Sequence, residues 1–453
     1  MRIFIIIFSA FFYVVLFFMG GFSSWENLSM SLFVYFFLNF LLHLGKKIVV
    51  LDLTILLAFL TCLLMPILFY HVYTKDNPIA VLWEKYMPIE SDDYFSFALP
   101  GVLMLALGLK MPLGKAKVNK DPVIYIQNVK AYLSRNPRLG IYLVVTGLIS
   151  GFLDFLAPAG LGELFFLMAH LVFVGVFYIY YSPYKNKRFV LIAAIVGMLG
   201  ESLLTGMFGE LIFVSALSLI LVLLGKPIRF RKKLGFAFVG IFIIILIQSV
   251  KGDYRKRTWF QESGSDPIYF AQLVAERIIS PSTMLDPMTM FVSAVRLNQG
   301  WLVATTMKMV PQKHPFGNGG PLLDAIYASF IPRILWPDKP EAGGKANLKR
   351  FWGFDLVGWS TNIGTLGEAY ANFDRNGGLL YLFVYGLFFN FILSRILKAA
   401  DKRPTIILWL PFLFFSVINV ETDLLSTMGA LIKSIIFAWV VFRVFDLALN
   451  MKL

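Results

Sequence analysis

The chain has 453 residues, of which 58% are hydrophobic and only 15% charged, with a mean hydropathy of +0.73. Those proportions exclude a soluble globular domain. A net charge of +14 invites a nucleic-acid partner, but the charges collect in short segments between apolar runs, which is the signature of membrane orientation, so no nucleic acid is expected. The single cysteine, Cys62, lies inside an apolar run, leaving neither a disulfide framework nor a thiolate metal site.

At ~20 apolar residues per crossing, twelve runs can be traced in order: 3–21, 29–45, 49–72, 94–110, 139–157, 162–182, 189–206, 208–224, 234–250, 378–397, 404–420 and 428–448. The first resembles a signal peptide, but no small-residue cleavage site precedes the next run, so it reads as a retained helix. In 189–224, Gly200, Gly206 and Gly209 leave open a pair of short or re-entrant segments. The expected class is an all-α polytopic membrane protein with about twelve transmembrane helices.

Alternating the runs from a cytoplasmic N-terminus puts twenty Lys and Arg in the inner loops, against two acids, Asp121 and Asp401. The short outer loops hold eight acids against Lys75 and Lys85. Such asymmetry sets the orientation: both termini inside and residues 251–377 outside. The chain then divides into a body of helices 1–9 (1–250), a large outer loop (251–377) and helices 10–12 (378–453). Within the loop, 268–279, 290–307 and 321–335 carry apolar residues at helical spacing. They are expected to lie across the outer interface, with Trp301, Trp336, Trp352 and Trp359 at headgroup level. No internal repeat is visible, which weighs against transporters built from two related halves.

No nucleophile elbow, P-loop or His-rich metal cluster is present. His43 and His170 sit in apolar runs and read as packed helix residues, while His314 in the outer loop is a weak acid–base candidate. The outer loop is instead rich in cations, among them Arg277, Arg296, Arg333, Lys339 and Lys345, which suit a phosphate or diphosphate. Lys349 and Arg350 read better as a solvated or lipid-facing pair. Pro332 and Pro337 stiffen the turn that carries Arg333 and Lys339, and a rigid turn with two cations favours a specific anion. In GWSTNIGTLGEAYANF (358–373), Ser360, Thr361, Asn362 and Tyr370 offer donors and acceptors to a sugar. Glu368 reads either as a general base or as a buried, hydrogen-bonded acid holding its turn, and the residues favour neither. Asp154, Glu163, Glu201 and Glu210, near outer helix ends, are further candidate acids, with pairing to Lys433 as the structural alternative. Glu90 and Asp92 of ESDD have a spacing that suits Mg²⁺ or Mn²⁺, yet they directly precede a helix, where capping and the helix dipole account for them. With so many cations outside, no metal and no cofactor is expected.

Over about 331–397, IPRILWPDKP followed by STNIGTLGEAYANFDRNGGLL and an apolar helix resembles the Wzy-type O-antigen and oligosaccharide repeat-unit polymerases of bacteria, which are similar to GT-C glycosyltransferases. The resemblance implies a multi-pass protein of the bacterial inner membrane with a periplasmic active site. It implies transfer of a growing glycan from undecaprenyl diphosphate to a sugar hydroxyl of a second lipid-linked unit. Glu368 and Arg333 would be catalytic, and membrane lipids and a chain-length-regulating co-polymerase would be partners. An O-antigen ligase and a non-enzymatic lipid-linked oligosaccharide transporter are the alternatives.

Overall fold

An apolar run in lipid must close its backbone hydrogen bonds within itself, and here the runs do so as helices. A computed structural model describes residues 1–113, 122–153, 162–260, 265–331, 333, 335–357 and 361–448, and no strand is found among them. In chain order the helices are α1 (Arg2–Met19), α2 (Ser24–His43), α3 (Val50–His71), α4 (Ser91–Lys110), α5 (Pro122–Arg135), α6 (Leu139–Leu153), α7 (Gly162–Tyr181), α8 (Lys187–Thr205) and α9 (Gly209–Leu223). They continue as α10 (Phe230–Trp259), α11 (Pro267–Ile279), α12 (Pro287–Leu297), α13 (Gly300–Met309), α14 (Gly320–Phe330), α15 (Lys345–Trp352), α16 (Gly364–Ala399), α17 (Pro404–Phe414) and α18 (Leu424–Leu447), with single-turn helices between some of them.

The chain is an all-helical, multi-pass membrane protein. Among the described residues nine helices are long and apolar enough to span, or ten if the bent pair α5–α6 is one crossing. The expected class is borne out, while three of the twelve expected runs do not reach that length as single straight helices among the described residues. Run 139–157 begins at a bend of 83° between α5 and α6. Run 208–224 yields a helix of 15 residues, about 22 Å at 1.5 Å per residue, against a hydrocarbon core of ~30 Å. Run 404–420 starts as a 3₁₀ turn at Pro404 and stops being helical after Phe414. Hydropathy counts apolar residues and does not register where the backbone stops propagating.

The basic segments gather at one end of the bundle. Gly225 N donates to Gly45 O (2.9 Å), and Lys233 Nζ reaches Leu42 O and Leu44 O (3.3 and 2.5 Å). Lys226 Nζ donates to the Tyr180 hydroxyl (2.7 Å), Lys110 pairs with Asp52 (2.5 Å), and Asn390 Nδ2 donates to Met111 O (2.7 Å). Arg2 beside His43 (3.3 Å) and Asp446 paired with Arg403 (2.5 Å) bring both described chain ends there too.

The segment 251–377 lies toward the other end but is not a domain apart. Phe291, Val303, Ala304, Leu322, Leu348, Phe351 and Ile363 belong to the same buried cluster as the spanning helices. Run 290–307 is correspondingly two helices, broken at Asn298 and Gln299, and the second, α13, is buried in the body. A π turn at Leu60–Leu64 in α3 frees carbonyls that this segment and α4 use: Gln299 N donates to Thr61 O (3.0 Å) and Tyr94 Oη to Cys62 O (2.6 Å). The tightest helix pair is α4 against α16, where a Cβ on Gly108 would collide with the Phe383 carbonyl, so only glycine lets the backbones approach.

Candidate functional site

α16 begins at Gly364, well before the apolar run expected from 378, and breaks at Asp374 (φ 58°, ψ −164°), a strained conformation for a non-glycine residue. The break exposes carbonyls at the end of its first segment, and the 317–318 turn takes them: Gly317 N donates to Ala371 O (2.9 Å) and Asn318 N to Asn372 O (3.0 Å). Past the break, Arg375 donates to Ser96 Oγ (2.6 Å) and Asp93 O (3.2 Å) on α4. The short buried segment 364–372 is thereby fixed at both ends, and Glu368 lies in its middle.

Glu368 is 1% exposed. Its carboxylate accepts from Leu424 N (2.8 Å), the first residue of α18, and from Asn347 Nδ2 (3.2 Å) on α15. Asn347 Nδ2 also reaches Asp423 Oδ2 (3.4 Å), and Asp423 accepts from Ser426 N (2.9 Å) as the cap of α18. Two buried carboxylates thus share one amide. Burial pushes the Asp423 carboxyl above the usual range, with its two bonds from Ser426 opposing. The buried Tyr381 hydroxyl, without a hydrogen bond of good geometry, faces the Glu368 carboxylate. The pair opens into a cleft of about 40 Å³ lined also by Pro321, Asp324, Ala325, Arg350 and Leu425. Such a volume holds a water or a hydroxyl but not a sugar ring.

A group of cations gathers on Glu421, close to Asp423 along the chain. Two residues before Asp423, Glu421 binds Arg296 (2.7 Å), and Lys251 and Arg255 are within electrostatic reach of Arg296. These groups all lie at the end away from the basic loops. Neither Asp423 nor Asn347 was singled out from the sequence, nor were Lys251 and Arg255. Asp423 had a signal, a polar residue followed by a helical run, but it reads only as a cap.

The chain belongs to the family described as a domain of unknown function (DUF8712). The DUF8712 match spans residues 125–401, from α5 to just past α16, and so includes Glu368, Asn347, Arg296 and Lys251 but not Asp423. No curated protein and no solved structure matches the chain.

The remaining predicted residues are scattered by the DUF8712 fold. Arg333 folds back on its own turn, donating to Pro337 O (3.1 Å), and Lys339 donates to Ala328 O (2.9 Å) and Ile331 O (2.8 Å), capping the carbonyl end of α14. Burial pulls the Lys339 ammonium down, helped by Lys433 and Arg333 nearby. Both cations of the turn therefore hold backbone carbonyls, Lys339 from a half-buried position and Arg333 from an exposed one. Lys345 opens α15 with a loose contact to Glu341 (3.9 Å). Arg277 pairs with Asp253 (2.8 Å) in a second cleft that shares no lining residue with the first. Thr361 and Asn362 pack against Gly344, which stands at φ 82°, and Tyr370 is buried edge-on to Phe97 and Phe316. Ser360, Pro332, Trp359, Asp121 and Asp154 lie outside the described residues. Glu163 is bound by Lys433 and Glu210 by His170 (2.9 Å). In the ESDD segment, Ser91 donates to the buried Glu26 (2.8 Å), Asp93 faces Arg375 (3.5 Å), and Asp92 lies in the first turn of α4.

Proposed function

We propose that the protein is a glycosyltransferase of the bacterial inner membrane that polymerises lipid-linked oligosaccharide repeat units, with the basic end of the bundle cytoplasmic and the carboxylate pair on the periplasmic side. The positive-inside rule supports that orientation. The observation that carries the reading is a buried Glu368–Asp423 pair, sharing Asn347, at a cleft sized for one hydroxyl and lined also by Arg350, with the Arg296–Glu421 ion pair two residues before Asp423 along the chain. In this reading the acceptor hydroxyl enters the cleft and Glu368 takes its proton. The oxygen forms the new glycosidic bond as the anomeric carbon–oxygen bond to the diphosphate breaks, and the bonding pair leaves with polyprenyl diphosphate. Arg296, held in place by Glu421, and its neighbouring cations stabilise the departing charge. Arg333, exposed at the rim of its turn, is a second contact for the lipid diphosphate.

Fold relation to GT-C enzymes and an undecaprenyl carrier belong to the same proposal. The transporter reading is favoured by the ion pairs within apolar helices, Glu163–Lys433 and His170–Glu210. Purified protein supplied with lipid-linked repeat units separates the readings. Ladders of glycan support a polymerase, capping of a lipid A core supports a ligase, and translocation without a new bond supports a transporter.

A further inference from the structure

Past Val250, α10 leaves its apolar stretch and packs against α11 around a small core of its own, Leu203, Phe208, Val250, Tyr254 and Leu273. On the polar side of that core a cleft of about 230 Å³ is lined by Asp253, Lys256, Arg257, Tyr269, Glu276 and Arg277. Arg277 is the anchor. It is 7% exposed, its two terminal nitrogens reach Asp253 (2.8 Å) and Glu276 (3.3 Å), and its Nε is buried with no hydrogen-bond partner. A buried guanidinium with an unpaired N–H calls for an acceptor. Arg257 lies over the Tyr269 ring (4.4 Å) and is held by Asp266 (2.9 Å), while Lys256 is 75% exposed with only a loose contact to Asp253.

The charge pattern narrows the ligand. Three cations and two carboxylates line the same small space, so a multiply charged diphosphate would meet like charge at Asp253 and Glu276. A ligand with one negative and one positive group satisfies both. The volume is below the ~300–1,000 Å³ of pockets for drug-sized molecules, which excludes a saccharide chain. The cleft follows directly on the end of a spanning helix, and Trp259, Ile268 and Ile279 beside it are exposed, as for groups at the level of lipid headgroups.

We infer that this cleft binds a zwitterionic phospholipid headgroup of the phosphoethanolamine class, its phosphate on Arg277 and Lys256 and its primary ammonium on Glu276. The inference does not rest on the glycan reading. It is tested on the purified full chain in detergent by measuring, through tryptophan fluorescence and native mass spectrometry, the binding of short-chain phosphatidylethanolamine, phosphatidylglycerol and inorganic phosphate. Wild type should bind the ethanolamine lipid at least ~10-fold more tightly than the glycerol lipid, the scale of one charge-assisted hydrogen bond. Arg277→Gln should lose both lipids, and Lys256→Gln, at an exposed position that cannot disturb the core, should weaken both. Glu276→Gln should erase the ethanolamine preference while keeping phosphatidylglycerol bound. The inference is overturned if wild type prefers the glycerol lipid, if Glu276→Gln leaves the preference intact, or if inorganic phosphate alone displaces the lipid at equal concentration.

Discussion

Replacing Glu368 with Gln and with Ala separates a catalytic carboxylate from a structural one. Ala removes the acceptor for Leu424 N and for Asn347, two buried donors from different elements. At ~1–3 kcal/mol for each orphaned group, Glu368→Ala should lose about 2–6 kcal/mol, a large part of the ~5–15 kcal/mol that holds a domain together. Gln keeps the shape and one carbonyl acceptor, and it removes a charge beside Asp423. Its stability cost should therefore stay within ~1–3 kcal/mol. The effect on chemistry runs the other way, because an amide has no basicity: loss of a general base should slow the reaction ~10²–10⁴-fold. The assay pairs thermal melting in detergent with the rate of ladder formation from lipid-linked repeat units. Folded, inactive Glu368→Gln is the expected result. A Gln variant that polymerises within about tenfold of wild type would leave Glu368 as the acid that ties α16 to α18 and would refute its role as a base.

Asp423 should make stability depend on pH. Burial raises its folded-state pKa above the unfolded value of about 3.9, so its favourable contribution is complete below that value and is lost as pH rises through the folded-state value. The melting temperature of Asp423→Asn should therefore gain on wild type as pH rises from about 4, and a constant difference would contradict this. Arg296→Lys keeps the charge but not the planar fork that Glu421 orients, and should slow polymerisation ~10²–10³-fold, the scale for losing an electrostatic stabiliser; unchanged rates would exclude Arg296 from the diphosphate site. Lys339→Met should lower stability by ~1–3 kcal/mol, because the Ala328 and Ile331 carbonyls at the end of α14 lose a charged donor, and an unshifted denaturation midpoint would show that the cap is idle. In a Cys62→Ala background, an impermeant thiol reagent applied to intact cells should mark Asn318→Cys and spare Lys185→Cys, and the reverse pattern would invert the orientation.

Helical class, membrane residence and the grouping of the basic loops were legible in the sequence, because each depends on what neighbouring residues along the chain do together. Apolar length decides whether a run favours lipid, and lysines and arginines between runs mark the ends that share one side. The structure bears out that grouping in contacts such as Gly225 to Gly45 and Lys226 to Tyr180. Run length alone does not register where a helix breaks, since Pro404, the bend before α6 and the short α9 alter the backbone without altering hydropathy.

The composition of the site was decided elsewhere. Glu368 was visible as a candidate because it is a lone acid in a glycine-rich polar stretch. Its partners Asn347 and Asp423 come from two other segments; nothing in the sequence marks Asn347, and Asp423 reads there only as a helix cap. Lys339 and Arg333 read alike along the chain, yet one caps a helix and the other points to the surface. Arg277 and Arg296 looked equivalent, yet Arg277 lines the cleft at Asp253 while Arg296 pairs with Glu421 and lines neither cleft. A side chain's charge is a local property, but whether that charge is buried, paired or left with an unsatisfied N–H depends on which distant helix folds against it.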